Sequence, residues 1–200
     1  IRFLDVASQQ NAEPLNYTNI AKDVNSDAKT ISNYFDILED TLLGFRLPSY
    51  ERSIRKQQKK NSKFYFFDTG VVRALLGQTD YSVTPKSFEY GMLFESFIIN
   101  EVHRRLKYSE KNHKISFLRV SEKQEIDLII ERPRGPTLLC EIKSTDRIHD
   151  QHVSNLVTLG KGVRNSKTFL ISRDVTPQRI EGVECLPWTH FLDSLIELID

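Results

Sequence analysis

Two apolar runs decide the fold: Glu125-Ile126-Asp127-Leu128-Ile129-Ile130 and Leu138-Leu139-Cys140-Glu141-Ile142-Lys143. Both are rich in branched apolar residues, as strands are. The segment between them, Arg132-Pro133-Arg134-Gly135-Pro136, has the glycine and prolines of a turn or loop. The two runs therefore predict a β-hairpin.

Charged residues interrupt the second run in a regular pattern. Side chains on a strand alternate between faces, so Glu141 and Lys143 point the same way while Cys140 and Ile142 point into a core. Asp127 joins the two charged residues from the neighbouring strand if the register allows. Such charges are unfavourable at the end of an apolar hairpin unless they pair with each other or bind something.

Two interpretations of this cluster stay open on the residues alone. One is a structural ion pair between Glu141 and Lys143 at a sheet edge. The other is a metal site, because carboxylates are the hard oxygen ligands that Mg²⁺ prefers and a neighbouring lysine can orient or help deprotonate a metal-bound water.

The wider pattern resembles the PD-(D/E)xK nuclease superfamily, in which an Asp is followed by Glu-x-Lys and a Glu lies on a preceding helix. Asp127, Glu141-Ile142-Lys143 and Glu95 occupy these places. Three further stretches resemble the C-terminal region of a prokaryotic family of AAA-type ATPases, and the resemblance covers nearly the whole chain. They are Gly91-Met92-Leu93-Phe94-Glu95-Ser96-Phe97-Ile98-Ile99-Asn100-Glu101, Tyr65-Phe66-Phe67-Asp68-Thr69-Gly70 and Glu141-Ile142-Lys143-Ser144.

In that family a P-loop ATPase module is followed by a winged helix and a nuclease-like domain of unsettled function. The resemblance implies metal-dependent hydrolysis of a phosphodiester, with DNA as the substrate and partner. Asp127, Glu141 and the backbone carbonyl of Ile142 would hold one Mg²⁺ or Mn²⁺, Lys143 would position the attacking water, and Glu95 would complete the shell as an outer ligand. Without the metal, the crowded acids should have raised pKa values that Lys143 partly relieves.

The resemblance also implies a non-enzymatic alternative. A nuclease-like fold can serve DNA binding, docking or regulation of the attached ATPase without catalysis. All four positions, Glu95, Asp127, Glu141 and Lys143, are filled by the chemically correct residue types, which favours the enzyme.

Bulk properties limit the broad class of protein. The chain has 200 residues, 39% of them hydrophobic, and a net charge of +1, which suits one or two globular domains. No apolar run approaches the roughly 20 residues that cross a bilayer, and no apolar stretch follows a basic start as it does in a signal peptide. We therefore expect a cytoplasmic protein with no membrane partner, in which Cys140 and Cys185 are buried free thiols.

The chain resembles an excised piece of a longer protein. It lacks an initiator methionine, its only methionine is Met92, and it opens directly in a helical pattern. No segment matches G-x-x-x-x-G-K-[ST], the phosphate-binding loop of an ATPase. We expect no ATP hydrolysis by this piece itself, and ATP to enter only through an upstream ATPase domain of the same chain.

Residues 1–78 predict a winged helix-turn-helix. Asn16 and Asp27 are placed to cap the second and third helices. The third helix has an apolar stripe at Ile31, Phe35 and Leu38. Its opposite face offers three candidate DNA-contacting residues, Lys29, Thr30 and Asn33.

Predicted strands Leu42–Pro48 and Lys63–Asp68 would form the wing. Residues 46–63 hold seven basic residues and one acid, for a local charge of +6. Such a tip suits phosphate contacts, and a solvated hairpin is an equally good interpretation. The candidate DNA-binding residues there are Arg52, Arg55, Lys56, Lys59 and Lys60.

Several acids oppose DNA binding by the third helix: Asp27, Asp36, Glu39 and Asp40. The winged helix would then pack on the ATPase or on another subunit. A homodimer formed through the winged helices is compatible with either function.

Residues 79–87 predict a polar linker, and 88–200 predict the nuclease-like domain. The expected order is α-β-β-β-α-β, starting with a helix from Phe88 to Lys107 and including a crossover helix from Asp150 to Val163. The predicted fold class is α/β (α+β) with a mixed sheet. The buried stripe of the first helix should comprise Phe94, Phe97, Ile98, Val102 and Leu106.

Two other features of this domain have a less specific interpretation. Glu101 competes with Glu95 on the same helix and suits a structural acid. His149 and His152 form an H-x-x-H pair, which lacks Cys or His partners at a useful spacing for a metal site.

Overall fold

The computed structural model describes residues 2–51 and 61–199. The chain divides into two compact units, residues 1–83 and 84–200. Within the described residues, none of the helices combines the length and the apolar character that crossing a membrane requires.

The first unit begins with three helices. Its elements are α1 (Arg2–Gln9), α2 (Tyr17–Val24), α3 (Ala28–Asp40), β1 (Gly44–Leu47), β2 (Lys63–Phe66) and α4 (Thr69–Leu75). The two strands are antiparallel, with Gly44 opposite Phe66.

Side-chain caps start two of these helices where the sequence predicts them. The Asn16 side chain accepts a hydrogen bond from the Asn19 amide at 3.1 Å. The Asp27 carboxylate accepts from the Lys29 and Thr30 amides, both at 3.0 Å. Each cap satisfies amides that have no partner within the helix.

An aromatic cluster forms the core of the first unit. Phe35 is fully buried and contacts Phe3 and Phe64 at centroid distances of 5.3 and 4.9 Å, in edge-to-face arrangements. Ile31 and Leu38 are also buried, which confirms the apolar stripe predicted for α3.

Backbone contacts cover β2 on the edge that β1 leaves open. The Ala12 amide donates to the Phe64 carbonyl at 2.8 Å, and the Phe66 amide donates to the Asn11 side-chain oxygen at 2.9 Å. Asn11 itself is 5% exposed. The segment after α1 therefore lies along β2 through isolated bridges, and all four residues of β2 are buried.

The second unit surrounds a six-stranded sheet. Its elements are α5 (Phe88–Tyr108), β3 (Lys114–Ser121), β4 (Gln124–Glu131), β5 (Thr137–Lys143), a 3₁₀ turn (Asp150–His152), α6 (Ser154–Gly160), β6 (Ser166–Ser172), β7 (Gln178–Ile180), β8 (Val183–Pro187) and α7 (Trp188–Ile199).

The strand order is β3-β4-β5-β6-β8-β7. Strands β3, β4 and β5 are antiparallel neighbours, whereas β5, β6 and β8 run parallel. Strand β7 returns antiparallel to β8 at the edge. The sheet is mixed and the class is α+β, as the sequence predicts at this level.

Helices cover both faces of this sheet. On one face, Phe169 of β6 contacts Phe191 of α7 at 5.9 Å between ring centroids. On the other face, Gly160 of α6 lies against the side chains of Thr168 and Leu139. The middle strands are consequently buried on both sides, and their runs of apolar residues reflect that burial.

Two sequence predictions in this unit are wrong in detail, and one strand was missed. The crossover helix is split into the 3₁₀ turn and α6, and it ends at Gly160 because the Gly162 and Val163 amides form tight turns back to Leu159 and Gly160. Phe97 is 36% exposed and packs its ring on Trp188, while Ile99 is buried instead. Strand β7 was not predicted, since it is short and polar and pairs only with β8.

The contact between Asn11 and β2 yields a stability prediction. We expect Asn11→Ala to lower the free energy of unfolding of the first unit by about 1–3 kcal/mol, because it leaves the buried Phe66 amide without an acceptor. Urea denaturation followed by circular dichroism measures the loss, and hydrogen exchange of the Phe66 amide localises it.

Asn19→Ala is the matched control, since Asn19 is exposed on α2. It should leave the exchange of Phe66 unchanged. Equal unfolding free energies for Asn11→Ala and the wild type would contradict the importance of this hydrogen bond.

Candidate functional site

Neighbouring strands and a helix bring the four predicted catalytic residues within electrostatic reach of one another. Asp127 lies on β4, Glu141 and Lys143 on β5, and Glu95 on α5. The β4–β5 ladder pairs Leu128 with Cys140, so the next step places Asp127 across from Glu141.

A backbone hydrogen bond fixes the carboxylate of Asp127. The Ile142 amide donates to Asp127 Oδ2 at 2.7 Å, and Asp127 is 8% exposed. This contact continues the connection between the two strands beyond their last ladder pair. It holds Asp127 against the end of β5.

The Glu141 side chain is almost fully buried. Its Oε1 lies 2.6 Å from Lys143 Nζ, and its residue exposure is only 2%. Its other oxygen, Oε2, is buried and has no hydrogen-bond partner among residues 2–51 and 61–199. Burying a carboxylate oxygen without a partner is unfavourable in free energy. Such an oxygen indicates a place where a proton, a cation or a hydrogen-bond donor would be stabilised.

The surroundings of Glu141 shift the pKa of its carboxyl group upward. Burial raises its pKa most, the Lys143 ammonium opposes that rise, and the charges of Glu95 and Glu125 add to it. The net direction is upward, which agrees with the expectation for crowded acids partly relieved by a lysine.

Lys143 experiences the opposite balance. Burial disfavours its charge, but the carboxylates of Asp127, Glu141 and Glu95 outweigh burial and raise its pKa. The ammonium is therefore charged at neutral pH, and 39% of its side chain remains exposed.

Two other acids, one on α5 and one on β4, have cationic partners. Glu101 forms ion pairs with Arg104 and Arg105, the latter at 3.7 Å, which favours the structural role considered for it. Glu125 lies 3.2 Å from Arg119 on β3. Glu125 was not singled out from the sequence, although its spacing of two from Asp127 puts it on the same face of β4.

Cys140 lies beside the acids, but its thiol is unreactive. Burial raises the pKa of its thiol, and the Asp127 charge adds to the effect. Cys140 and Cys185 are both free and buried, as predicted. A protonated, enclosed thiol is a poor nucleophile.

The carboxylates of Asp127 and Glu141 are the type of ligand that a hard divalent cation prefers. Among residues 2–51 and 61–199, no three His, Cys, Asp or Glu side chains are grouped so that they could hold a metal ion. Mg²⁺, however, usually binds through one or two carboxylates together with waters and substrate phosphates. Asp127 and the unpartnered Oε2 of Glu141 supply such carboxylates.

The candidate DNA-contacting residues of α3 differ in their availability. Lys29 and Asn33 are exposed. The Thr30 hydroxyl donates to Asp27 Oδ2 at 2.6 Å, so Thr30 contributes to the helix cap. The remaining candidates, Arg52, Arg55, Lys56, Lys59 and Lys60, lie outside the described residues.

Arg46 changes the electrostatics expected for α3. Its guanidinium forms ion pairs with Asp36, at 2.8 Å, and with Glu39. Together with the capping role of Asp27, these contacts neutralise or engage three of the four acids that counted against DNA binding. Lys63, also counted in the basic run, is 4% exposed.

A cavity of about 530 Å³ opens immediately after β5. It is lined by Lys86, residues 144–147, His149 and His152. Lys86 and Arg147 were not singled out from the sequence. The available signal was the polar run that follows Lys143 directly, Ser144-Thr145-Asp146-Arg147.

Comparisons with known proteins match both parts of the chain. Residues 1–82 match a family described as a domain of unknown function (DUF8612). An uncharacterized protein of Mycobacterium bovis and one of Mycobacterium tuberculosis are each 28% identical to the chain over 129 residues. The alignments cover 63% of this chain and 27% of each relative, so the chain spans about a quarter of the length of the curated relatives it matches.

No solved structure matches the sequence significantly. The second family match covers residues 90–191, which is half of the chain and includes Glu95, Asp127, Glu141 and Lys143. The chain therefore belongs to the family described as domain of unknown function DUF4143.

Proposed function

We propose that the second unit is a PD-(D/E)xK nuclease-like domain that hydrolyses phosphodiester bonds in DNA with Mg²⁺ or Mn²⁺. One observation supports this most. The buried Glu141 carboxylate lies beside Asp127, is paired with Lys143 through one oxygen, and has no partner at the other oxygen within the part of the chain that the structure describes. The mixed sheet flanked by helices is compatible with that fold.

Each residue has a role that follows from its surroundings. Asp127, Glu141 and the Ile142 carbonyl would hold the divalent ion, which when bound polarises the phosphate and lowers the pKa of a bound water. Lys143, charged at neutral pH, donates to the attacking water or to a phosphate oxygen and stabilises the charge that develops there. Glu95 orients water at the edge of the site.

The first unit is proposed to be a winged helix that binds DNA through α3 and the segment between β1 and β2. Three short helices followed by an antiparallel pair of strands support this assignment. Lys29 and Asn33 are exposed on α3, and the acids beside them are largely engaged by Arg46 and the helix cap.

The proposed context is the C-terminal region of a longer AAA-type ATPase in the cytoplasm. ATP would be bound by the upstream domain, which would be the partner of this region. The curated relatives are long enough to hold such a module outside the matched quarter. A homo-oligomer is compatible with this arrangement.

A second candidate function is a catalytically inactive nuclease-like module that binds DNA or docks on the ATPase. The observation in its favour is the closed Glu141–Lys143 pair, since each charge already has its counter-charge. In that case the pair stabilises the end of β5, and Lys143 is not required for any reaction.

The first test is cleavage of supercoiled plasmid, single-stranded DNA and a four-way junction in Mg²⁺ and in Mn²⁺. Lys143→Ala should reduce the rate by at least about 100-fold, because transition-state charge loses its donor. Asp127→Ala should abolish both cleavage and metal binding, whereas Lys143→Ala should weaken metal binding much less.

Lys167→Ala is the matched control, because Lys167 is an exposed lysine of the same sheet. It should cleave like the wild type. Undiminished metal-dependent cleavage by Lys143→Ala would refute the proposed mechanism. Absence of cleavage with DNA binding retained in a gel-shift assay would favour the inactive module.

A second prediction concerns stability and pH. Lys143→Met removes the cation beside a buried carboxylate, so the raised pKa of Glu141 should rise further. Since a raised folded-state pKa favours folding only while the acid is protonated, the variant should lose stability as pH rises from the ordinary glutamate value of 4.5 through the folded pKa.

Urea denaturation at pH 5 and pH 8 measures this effect. We expect a loss at pH 8 of about 2 kcal/mol, below the range for fully buried pairs because Lys143 is partly exposed, and a smaller loss at pH 5. Lys167→Met should show no such pH dependence. A loss that is equal at both pH values would contradict the coupling between Glu141 and Lys143.

A third prediction concerns DNA binding by the first unit. Lys29→Ala should weaken binding to duplexes of different sequence to a similar extent and reduce the salt slope of the binding constant by about 1. Fluorescence anisotropy at several salt concentrations measures both quantities. An unchanged slope, equal to that of Lys167→Ala, would count against a phosphate contact by α3.

A further inference from the structure

The cavity after β5 combines cations with neutral hydrogen-bond donors. Lys86 comes from the segment before α5, and Arg147 from the loop after β5. Asp146, the carboxylate among the described lining residues, lies 3.8 Å from Lys86, and both side chains are more than half exposed. An exposed pair of this kind is worth about 0–1 kcal/mol, so a competing anion can readily displace it.

Hydrogen bonds within the loop hold Arg147 at the cavity. The Thr145 hydroxyl donates to the Arg147 carbonyl at 2.8 Å and accepts from the Arg147 amide at 3.2 Å. The neighbouring Arg173 amide donates to the Thr145 carbonyl at 3.0 Å. The loop is thereby connected to the chain that follows β6.

His152 presents a defined donor to the same cavity. The His149 amide donates to His152 Nδ1 at 3.0 Å. A ring nitrogen that accepts a hydrogen bond has no proton, so the neutral ring carries its proton on Nε2. His152 therefore offers an N–H donor to an anion without first gaining a charge.

The backbone at Lys86 adopts an uncommon conformation. Its φ is +72°, in the left-handed region that residues with a side chain seldom occupy. The Ser87 amide bonds back to the Thr84 carbonyl at 3.1 Å, which closes a tight turn around Lys86. The turn places this lysine in the cavity lining.

The cavity adjoins the acidic cluster. Its first lining residue, Ser144, follows Lys143 directly. Burial, His149 and Lys143 together lower the pKa of His152. The positive charge of Lys143 therefore acts on a residue of the cavity lining. A volume of about 530 Å³ exceeds that of an inorganic anion and suits a small organic ligand.

We propose that this cavity binds the phosphate of a nucleotide through Arg147, Lys86 and His152, next to Lys143. Phosphate matches these groups because a guanidinium binds it through two parallel hydrogen bonds and an ammonium adds a point charge. The role of the cavity as a subsite for a strand being cut rests on the proposed function. Binding of a nucleotide phosphate to the cavity can be tested without cleavage.

The binding test uses metal-free protein and three probes: thymidine 5′-monophosphate, thymidine and inorganic phosphate. Chemical shift changes in two-dimensional NMR spectra give each dissociation constant and locate the bound probe. The monophosphate should bind and shift the amides of residues 144–152, whereas thymidine should bind at least about tenfold more weakly. Equal affinity for thymidine and its monophosphate would overturn the proposal.

Two variants and one control assign the contacts. Arg147→Ala and Lys86→Ala should each weaken binding of the monophosphate by about tenfold, as expected for loss of a charge-assisted hydrogen bond. Arg164→Ala is the matched control. Arg164 is exposed and precedes the amino end of β6, which is parallel to β5, so it lies at the opposite end of the sheet. Equal effects of Arg147→Ala and Arg164→Ala would refute a specific site.

Oligonucleotides identify the source of the phosphate. If the terminal phosphate enters the cavity, a 5′-phosphorylated strand should bind about tenfold more tightly than the same strand with a 5′-hydroxyl, and Arg147→Ala should remove the difference. If an internal phosphate enters, Arg147→Ala should weaken binding of the 5′-phosphorylated and the 5′-hydroxyl strand by the same factor. Strand affinities that Arg147→Ala leaves unchanged would overturn the inference.

The outcomes separate this inference from the proposed hydrolysis. Phosphate-dependent binding without any metal-dependent cleavage would support the cavity and reject the nuclease. Cleavage by the wild type, with nucleotide affinities unaffected by Arg147→Ala and Lys86→Ala, would support the nuclease and reject the cavity.

Discussion

Burial of the Glu141 carboxylate in a middle strand constrains the rest of the second unit. A charge in that position is tolerable only with compensation, and Lys143 provides it through one oxygen at 2.6 Å. The adjacent backbone amide of Ile142 is already committed to Asp127. Three polar groups thus meet at the end of β5, and the contact between the Ile142 amide and Asp127 depends on the register between β4 and β5.

The parallel half of the sheet determines where polar loops meet. Strands β5 and β6 end at the same edge, and the segments that follow them are joined by two hydrogen bonds, from the Arg173 amide to the Thr145 carbonyl and from the Ile148 amide to Asp174. Crevices at the carboxyl ends of parallel strands are common ligand sites in open sheets. The cavity and the acidic cluster share this edge because β5 contributes to both.

Much of this arrangement could be predicted from local patterns. Long branched apolar runs mark β4 and β5, and the spacing of Glu141 and Lys143 requires that they share a face. The stripe of α3 was equally clear, since Ile31, Phe35 and Leu38 repeat with the helical period. Capping residues Asn16 and Asp27 located helix starts because their side chains act on amides two or three positions away.

What could not be predicted depends on contacts between distant residues. Phe97 has a core spacing, yet Trp188 shields only part of its ring. Strand β7 exists only through pairing with β8. The cavity joins Lys86 to residues near 147 and 152, and no local pattern connects a turn before α5 with a loop after β5. The covering of β2 by the segment after α1 is a similar case, because Asn11 and Phe66 are 55 positions apart.

The electrostatics of the Glu141–Lys143 pair bear on both functions proposed for this domain. Buried ion pairs are often no more stabilising than apolar residues of similar size, so stability alone is a weak reason for this one. A docking module needs only the neutralised pair. In such a module, the burial of Glu141 Oε2 would be unfavourable and uncompensated. A site that receives a cation or a phosphate uses both ends of the pair: Oε2 gains a partner, and Lys143, still partly exposed, gains a second anion. Among the described residues Oε2 of Glu141 has no hydrogen-bond partner, and this supports the proposed ligand site.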